Sequence, residues 1–62
     1  MANVIITKEA NGWDISVYKD GKKAKTAWAA NRDQAIGKAE ILGDYYRDDN
    51  GQRAGIVINE KS

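Results

Sequence analysis

The turn at Asp20-Gly21 is flanked by Tyr18, Lys19, Lys22, Lys23 and Lys25. Ammonium groups spaced along a hairpin can neutralise successive phosphates, giving affinity for DNA or RNA that falls as salt rises. Arg32 is the nearest arginine and the local candidate for a bidentate contact with a base edge; lysines alone confer little sequence specificity. The same lysines also have a plainer use, because charge on an edge keeps a sheet from pairing with its neighbours.

Other side chains with chemical potential lack partners. Thr7, Ser16 and Thr26 carry hydroxyls, but the chain has no His to activate them and no Cys to act as a nucleophile. Asp44, Asp48, Asp49 and Asn50 have the composition of a calcium loop without its alternating spacing or terminal Glu. Asp48 and Asp49 fall in a polar stretch where nothing would separate their pKa values. The glycines are scattered at turn positions, and none builds a phosphate loop. The expectation is a non-enzymatic protein with no catalytic residues, cofactor, metal or small-molecule substrate.

A chain of 62 residues allows one domain, spanning 1–62. At that size folding buries only about 60% of the unfolded chain's surface, so small domains lean on disulfides, metals or partners. Without Cys, a partner chain is the support left open. Lys plus Arg number 10 against 9 Asp plus Glu, a balance less basic than a dedicated nucleic-acid binder shows. No apolar run exceeds four residues, so a membrane span or secretory leader is not expected and a cytoplasmic location is the default.

The elements that position these groups follow from periodicity. Residues 4–7 are β-branched and predict a strand. Residues 13–18 alternate apolar and polar and predict a second. Asp20-Gly21 suits a two-residue type I′ turn into a returning strand over 22–28. That turn predicts Tyr18 opposite Lys23, Ser16 opposite Lys25, Ile15 opposite Thr26, and Trp13 opposite Trp28. Both tryptophans would then be hidden, while Asp14, Ser16, Tyr18, Lys23, Lys25 and Ala27 face solvent. At Asn11-Gly12 a two-residue turn would oppose Glu9 to Asp14, so a longer loop is expected there.

Asn31 is a good N-cap, with Gln34 placed for a capping box. Ala35, Ile36, Ala39, Leu42 and Tyr46 mark a buried helical stripe. The helix is expected to end between Leu42 and Tyr46, with Gly43 either past the end or inside it. A last strand, Gly55–Asn59, joins a sheet edge, parallel to the first strand if the two are neighbours. Lys61 and Ser62 read as a frayed end. The fold class is α+β, β-β-β-α-β: an antiparallel meander with one helix packed on one face.

The outer strands are apolar at consecutive positions, where a sheet with one wet face should alternate. Ile5 and Val57 would therefore face outward with Tyr18 and Ala27, forming a surface for a second protein. Single exposed apolar residues are common, and a sheet edge pairing with its own copy is the other way to use such strands. Ile41 and Tyr45, at i and i+4 on a helix flank, either widen the core or make a small apolar patch.

The order of signals resembles a family of small prokaryotic and phage proteins of unknown function. The resemblance rests on Gly12-Trp13 opening a strand, and on Asn31-x-x-Gln34-Ala35-Ile36-x-x-Ala39 starting a helix. It runs from Val4 to Ile58 and implies a fold without an activity. The segment from Trp13 to Leu42 also resembles the arm-type DNA-binding domain of phage tyrosine integrases. That likeness implies DNA contact by Tyr18, Lys23 and Lys25, although the sheet has few arginines and the last strand lies outside the pattern. The expected function is a small binding or regulatory module acting through protein contacts, as a homodimer or with another protein, in the manner of a phage or mobile-element accessory factor. The alternative is DNA binding by the basic hairpin and the helix-free face.

Overall fold

The computed structural model describes residues 1–60, so the expectation for Lys61 and Ser62 lies outside the described residues. The fold is α+β. Strands β1 (Ala2–Glu9), β2 (Gly12–Lys19) and β3 (Lys22–Ala29) precede helix α1 (Arg32–Tyr45) and strand β4 (Gly55–Asn59). The sheet order is β3-β2-β1-β4. It is mixed: β1 to β3 form an antiparallel meander, while β4 runs parallel to β1, so an antiparallel description does not extend to the last strand.

The first turn corrects the expected loop. Glu9 pairs with Gly12 and Asp14 with Thr7. The link is therefore a tight turn at Ala10 and Asn11, shifted by one residue from Asn11-Gly12. The shift removes the Glu9–Asp14 opposition that argued for a longer loop. Asp20 and Gly21 take φ values of 54° and 80°, as the second turn requires.

The hairpin register starts as the turn dictates, with Lys19 opposite Lys22 and Tyr18 opposite Lys23. A bulge between Val17 and Tyr18 then changes it. Val17 pairs with Lys25, Ile15 with Ala27 and Trp13 with Ala29, leaving Ala24 without an opposite residue. One extra residue exchanges the two faces of the rest of the strand. Ala27 and Ala29 turn towards the helix, whereas Thr26 and Trp28 turn to the open face.

The helix explains why that exchange is favourable. Asn31 is the N-cap, and its side-chain oxygen accepts from the Gln34 N–H at 2.9 Å. The Gln34 side chain accepts from the Ala30 N–H at 3.4 Å, reaching one residue further back than a capping box does. The buried stripe is Ala35, Ala39 and Gly43, which brings the axis close to the sheet. Small helix residues meet small strand residues at Ala27 and Ala29, and a second indole would not fit between them. Gly43 is inside the helix, where a Cβ would stand 3.4 Å from the Ala54 carbonyl oxygen.

Beneath the helix, Val4, Ile6, Ile15 and Val17 are wholly buried. Ile36, Leu42, Tyr46 and Ile58 close the margins, and Trp13 seals one end with the Lys8 ammonium 5.9 Å from its ring. The Arg32 Nε donates to the Glu60 Oε1 at 2.8 Å, tying the helix start to the end of β4. In the last turn of the helix, Asp44 pairs with Arg47 and Arg53 of the following loop, and Arg47 also donates to the Gly51 carbonyl at 2.7 Å.

Candidate binding surface on the helix-free face

The face opposite the helix is a grid of three rows. Val57, Ile5, Ser16 and Thr26 form the middle row, each opposite the next. On one side lie Gly55, Asn3, Tyr18 and Lys23; on the other lie Asn59, Thr7, Asp14 and Trp28. Trp28 is 46% exposed and Val57 48%. Ile5 and Tyr18 are half-buried. Four apolar or aromatic side chains thus share a surface that no other element covers among the described residues.

Charge is sparse within these rows. Lys23 lies at one corner with its ammonium 5.8 Å from the centre of the Tyr18 ring. Asp14 lies in the far row, where its Oδ2 accepts from the Ser16 hydroxyl at 3.0 Å. That bond satisfies Ser16, which is buried.

The residues expected to act together are only partly brought together. Ile5, Tyr18 and Val57 do share the helix-free face. Ala27 does not: the bulge turns it to the helix side, where it packs on the core. Ile41 and Tyr45 lie on the outer side of the helix, 71% and 78% exposed, and do not widen the core. Of the hairpin lysines only Lys23 is on the open face. Lys19, Lys22 and Lys25 alternate to the other side, Lys25 because it now opposes Val17 and not Ser16. Arg32 is engaged by Glu60 and stands apart from the hairpin.

Trp28 is the surface residue that the unshifted register hides. Its signal is the pair Ala27 and Ala29 on either side of it, small residues matched to Ala35 and Ala39 of the helix. Register counted from the turn outweighs that signal unless a bulge is supposed.

A second polar region lies at the chain start. The Met1 ammonium sits 3.2 Å from the Asp20 Oδ1 and 3.5 Å from the Asp48 Oδ1. Hydrogen bonding to Asp20 is the main cause that raises its pKa above the usual 8.0, with both carboxylates adding attraction. Among the described residues the Asp48 oxygen has no closer donor, and the 3.5 Å contact is too long to satisfy it fully. Beside it is an open hollow of about 300 Å³ lined by Met1, Asp48, Asp49, Asn50 and Gln52. Among the described residues no three His, Cys, Asp or Glu side chains gather in a way that could hold a metal. Nor is any helix long and apolar enough to cross a membrane.

Comparison of the chain with protein-family models, curated proteins and solved structures finds no match.

Proposed function

We propose that this chain is a small non-enzymatic binding module whose helix-free sheet face docks another protein, in the role of a regulatory or accessory factor. The observation that supports this reading is the position of Trp28 and Val57, half exposed on the same uncovered face as Ile5 and Tyr18. Interface centres are enriched in aromatic residues and depleted of charge, and these rows have that composition. The test is capture from the native host with the wild-type chain, Trp28→Ala, Tyr18→Ala and Tyr45→Ala. A partner of this face is retained by wild type and Tyr45→Ala and lost by the other two. Retention by all four would remove the face from consideration.

A second reading, single-stranded nucleic acid on the same face, draws support from one observation: Tyr18 with Lys23 beside it, and Trp28 two rows away, share an open sheet face. Bases stack on such rings while an ammonium meets the backbone. It ranks second because three of the four hairpin lysines sit on the other side. Quenching of Trp28 fluorescence by an oligonucleotide at low salt, relieved as salt rises, is its expected result. Unchanged fluorescence and no gel retardation would end it.

A further inference from the structure

The two edges of the sheet are built differently. The β3 edge carries Lys22, Lys23 and Lys25 and is bent by the bulge at Ala24. Charge and bulges are the devices by which sheets prevent edge-to-edge pairing. The β4 edge, Gly-Ile-Val-Ile-Asn, has neither. Its sequence holds no charged residue and no Pro, and Ile56 and Val57 are 40% and 48% exposed. One side of β4 is paired with β1, and among the described residues no strand lies on its other side.

We propose that the β4 edge is a self-association site, where β4 pairs antiparallel with β4 of a second copy about a twofold axis at Val57. The inference goes beyond the face-docking reading and does not depend on it. The strand is self-complementary about its middle residue. Val57 would oppose the partner's Val57, and Ile56 would oppose the partner's Ile58. Opposite residues of an antiparallel pair share a face. The valine pair therefore lies on the helix-free side with Ile5 of each copy beside it. The isoleucine pairs lie on the helix side and extend the two cores towards each other.

Charge decides in favour of a second copy joined through β4. Pairing β3 with β3 would bring lysines against lysines. Pairing β4 with β3 would be head-to-tail, leaving an open edge at each step unless the rotation between copies completes a ring. The β4–β4 arrangement consumes both unguarded edges at once and leaves the lysine-bearing strands outermost. It also aligns the two helix-free faces as one surface across eight strands, and it supplies the partner support that a domain of this size calls for.

The chain has no Cys, so Val57→Cys introduces a single thiol. Mild oxidation is expected to cross-link Val57→Cys into a covalent dimer, while Lys23→Cys and Tyr45→Cys stay monomeric on denaturing gels. Sedimentation at micromolar concentration is expected to give a dimer for wild type and monomers for Val57→Lys and for Val57→Glu, because like charges then meet across the axis. An equal mixture of those two variants is expected to restore the dimer. Circular dichroism checks that each remains folded, which half-exposure of Val57 favours. A wild-type monomer overturns the proposal. So does a dimer that neither cross-links through Val57→Cys nor reforms from the Lys and Glu mixture. Either outcome leaves the Trp28 and Tyr18 capture test standing on its own.

Discussion

The indole of Trp28 lies against the backbone of Gly12. A Cβ placed on Gly12 would come within 2.7 Å of the Trp28 Cζ2 and 2.6 Å of the Ala29 carbonyl oxygen. Gly12 also has a φ of 154°, a conformation that L side chains rarely adopt. Residue 12 is thus glycine for two separate reasons, and the ring of Trp28 covers the backbone that the missing side chain exposes.

Gly12→Ala is therefore expected to destabilise the fold by about 3 kcal/mol, through strain at φ and displacement of Trp28 or the β3 backbone. In a domain this small that is a fall in Tm of at least about 10 °C. Thermal unfolding followed by circular dichroism measures it. Trp28 emission should shift to the red in any population that remains folded. An unchanged Tm would mean that the close approach of residues 12 and 28 is not as described.

Two helix positions should move stability in opposite directions. Gly37 is exposed in the interior of α1, and nothing lies within 4 Å of a Cβ built on it. Gly37→Ala should gain close to the full helix-propensity difference, about 1 kcal/mol. Asn31→Ala removes the oxygen that accepts from the Gln34 N–H and should cost about 1 kcal/mol. Urea unfolding midpoints should rise for the first and fall for the second, with slopes unchanged. Equal midpoints for the two variants would contradict the placement of both residues in the helix.

The Met1 ammonium gives the stability a pH dependence on the alkaline side. Its pKa in the folded chain is raised above 8.0, mainly by the hydrogen bond to Asp20. A raised folded value means that the contribution is fully present below the unfolded pKa and is lost as pH rises through the folded one. The ammonium is open to solvent, so the effect is small. The difference in Tm between wild type and Asp20→Asn is expected to be largest near neutral pH and to shrink once the amine deprotonates. A difference that stays constant across that window would assign the role of Asp20 to its turn and not to its charge.

Much of the architecture was legible because it is local. The 13–18 alternation, the positive φ demanded at Asp20-Gly21, the cap at Asn31 and the Ala35–Ala39 spacing each depend on near neighbours in sequence. All appear in the fold as expected, and β4 at Gly55–Asn59 matches its expected bounds. The candidate surface was legible in part. Ile5, Tyr18 and Val57 follow from alternation along single strands and share the open face. Ala27, Lys25 and Trp28 were assigned through the pairing of two strands, and each emerged on the opposite side.

The amino-acid sequence by itself determined which segments become strand and helix and where the Asp20-Gly21 turn falls, though not the tight first turn at Ala10 and Asn11, because those choices rest on φ preferences, capping and short-range periodicity. It also determined that no thiol or imidazole chemistry is available, since the chain has neither Cys nor His. Only the tertiary structure decided which tryptophan is hidden. The close approach of a helix faced with Ala35, Ala39 and Gly43 leaves room for alanines and not for an indole, and a bulge at Ala24 meets that demand by exchanging the faces of β3. It likewise decided that β4 sits beside β1 with one edge unpaired, since neighbour choice in a sheet depends on contacts between segments far apart in the chain.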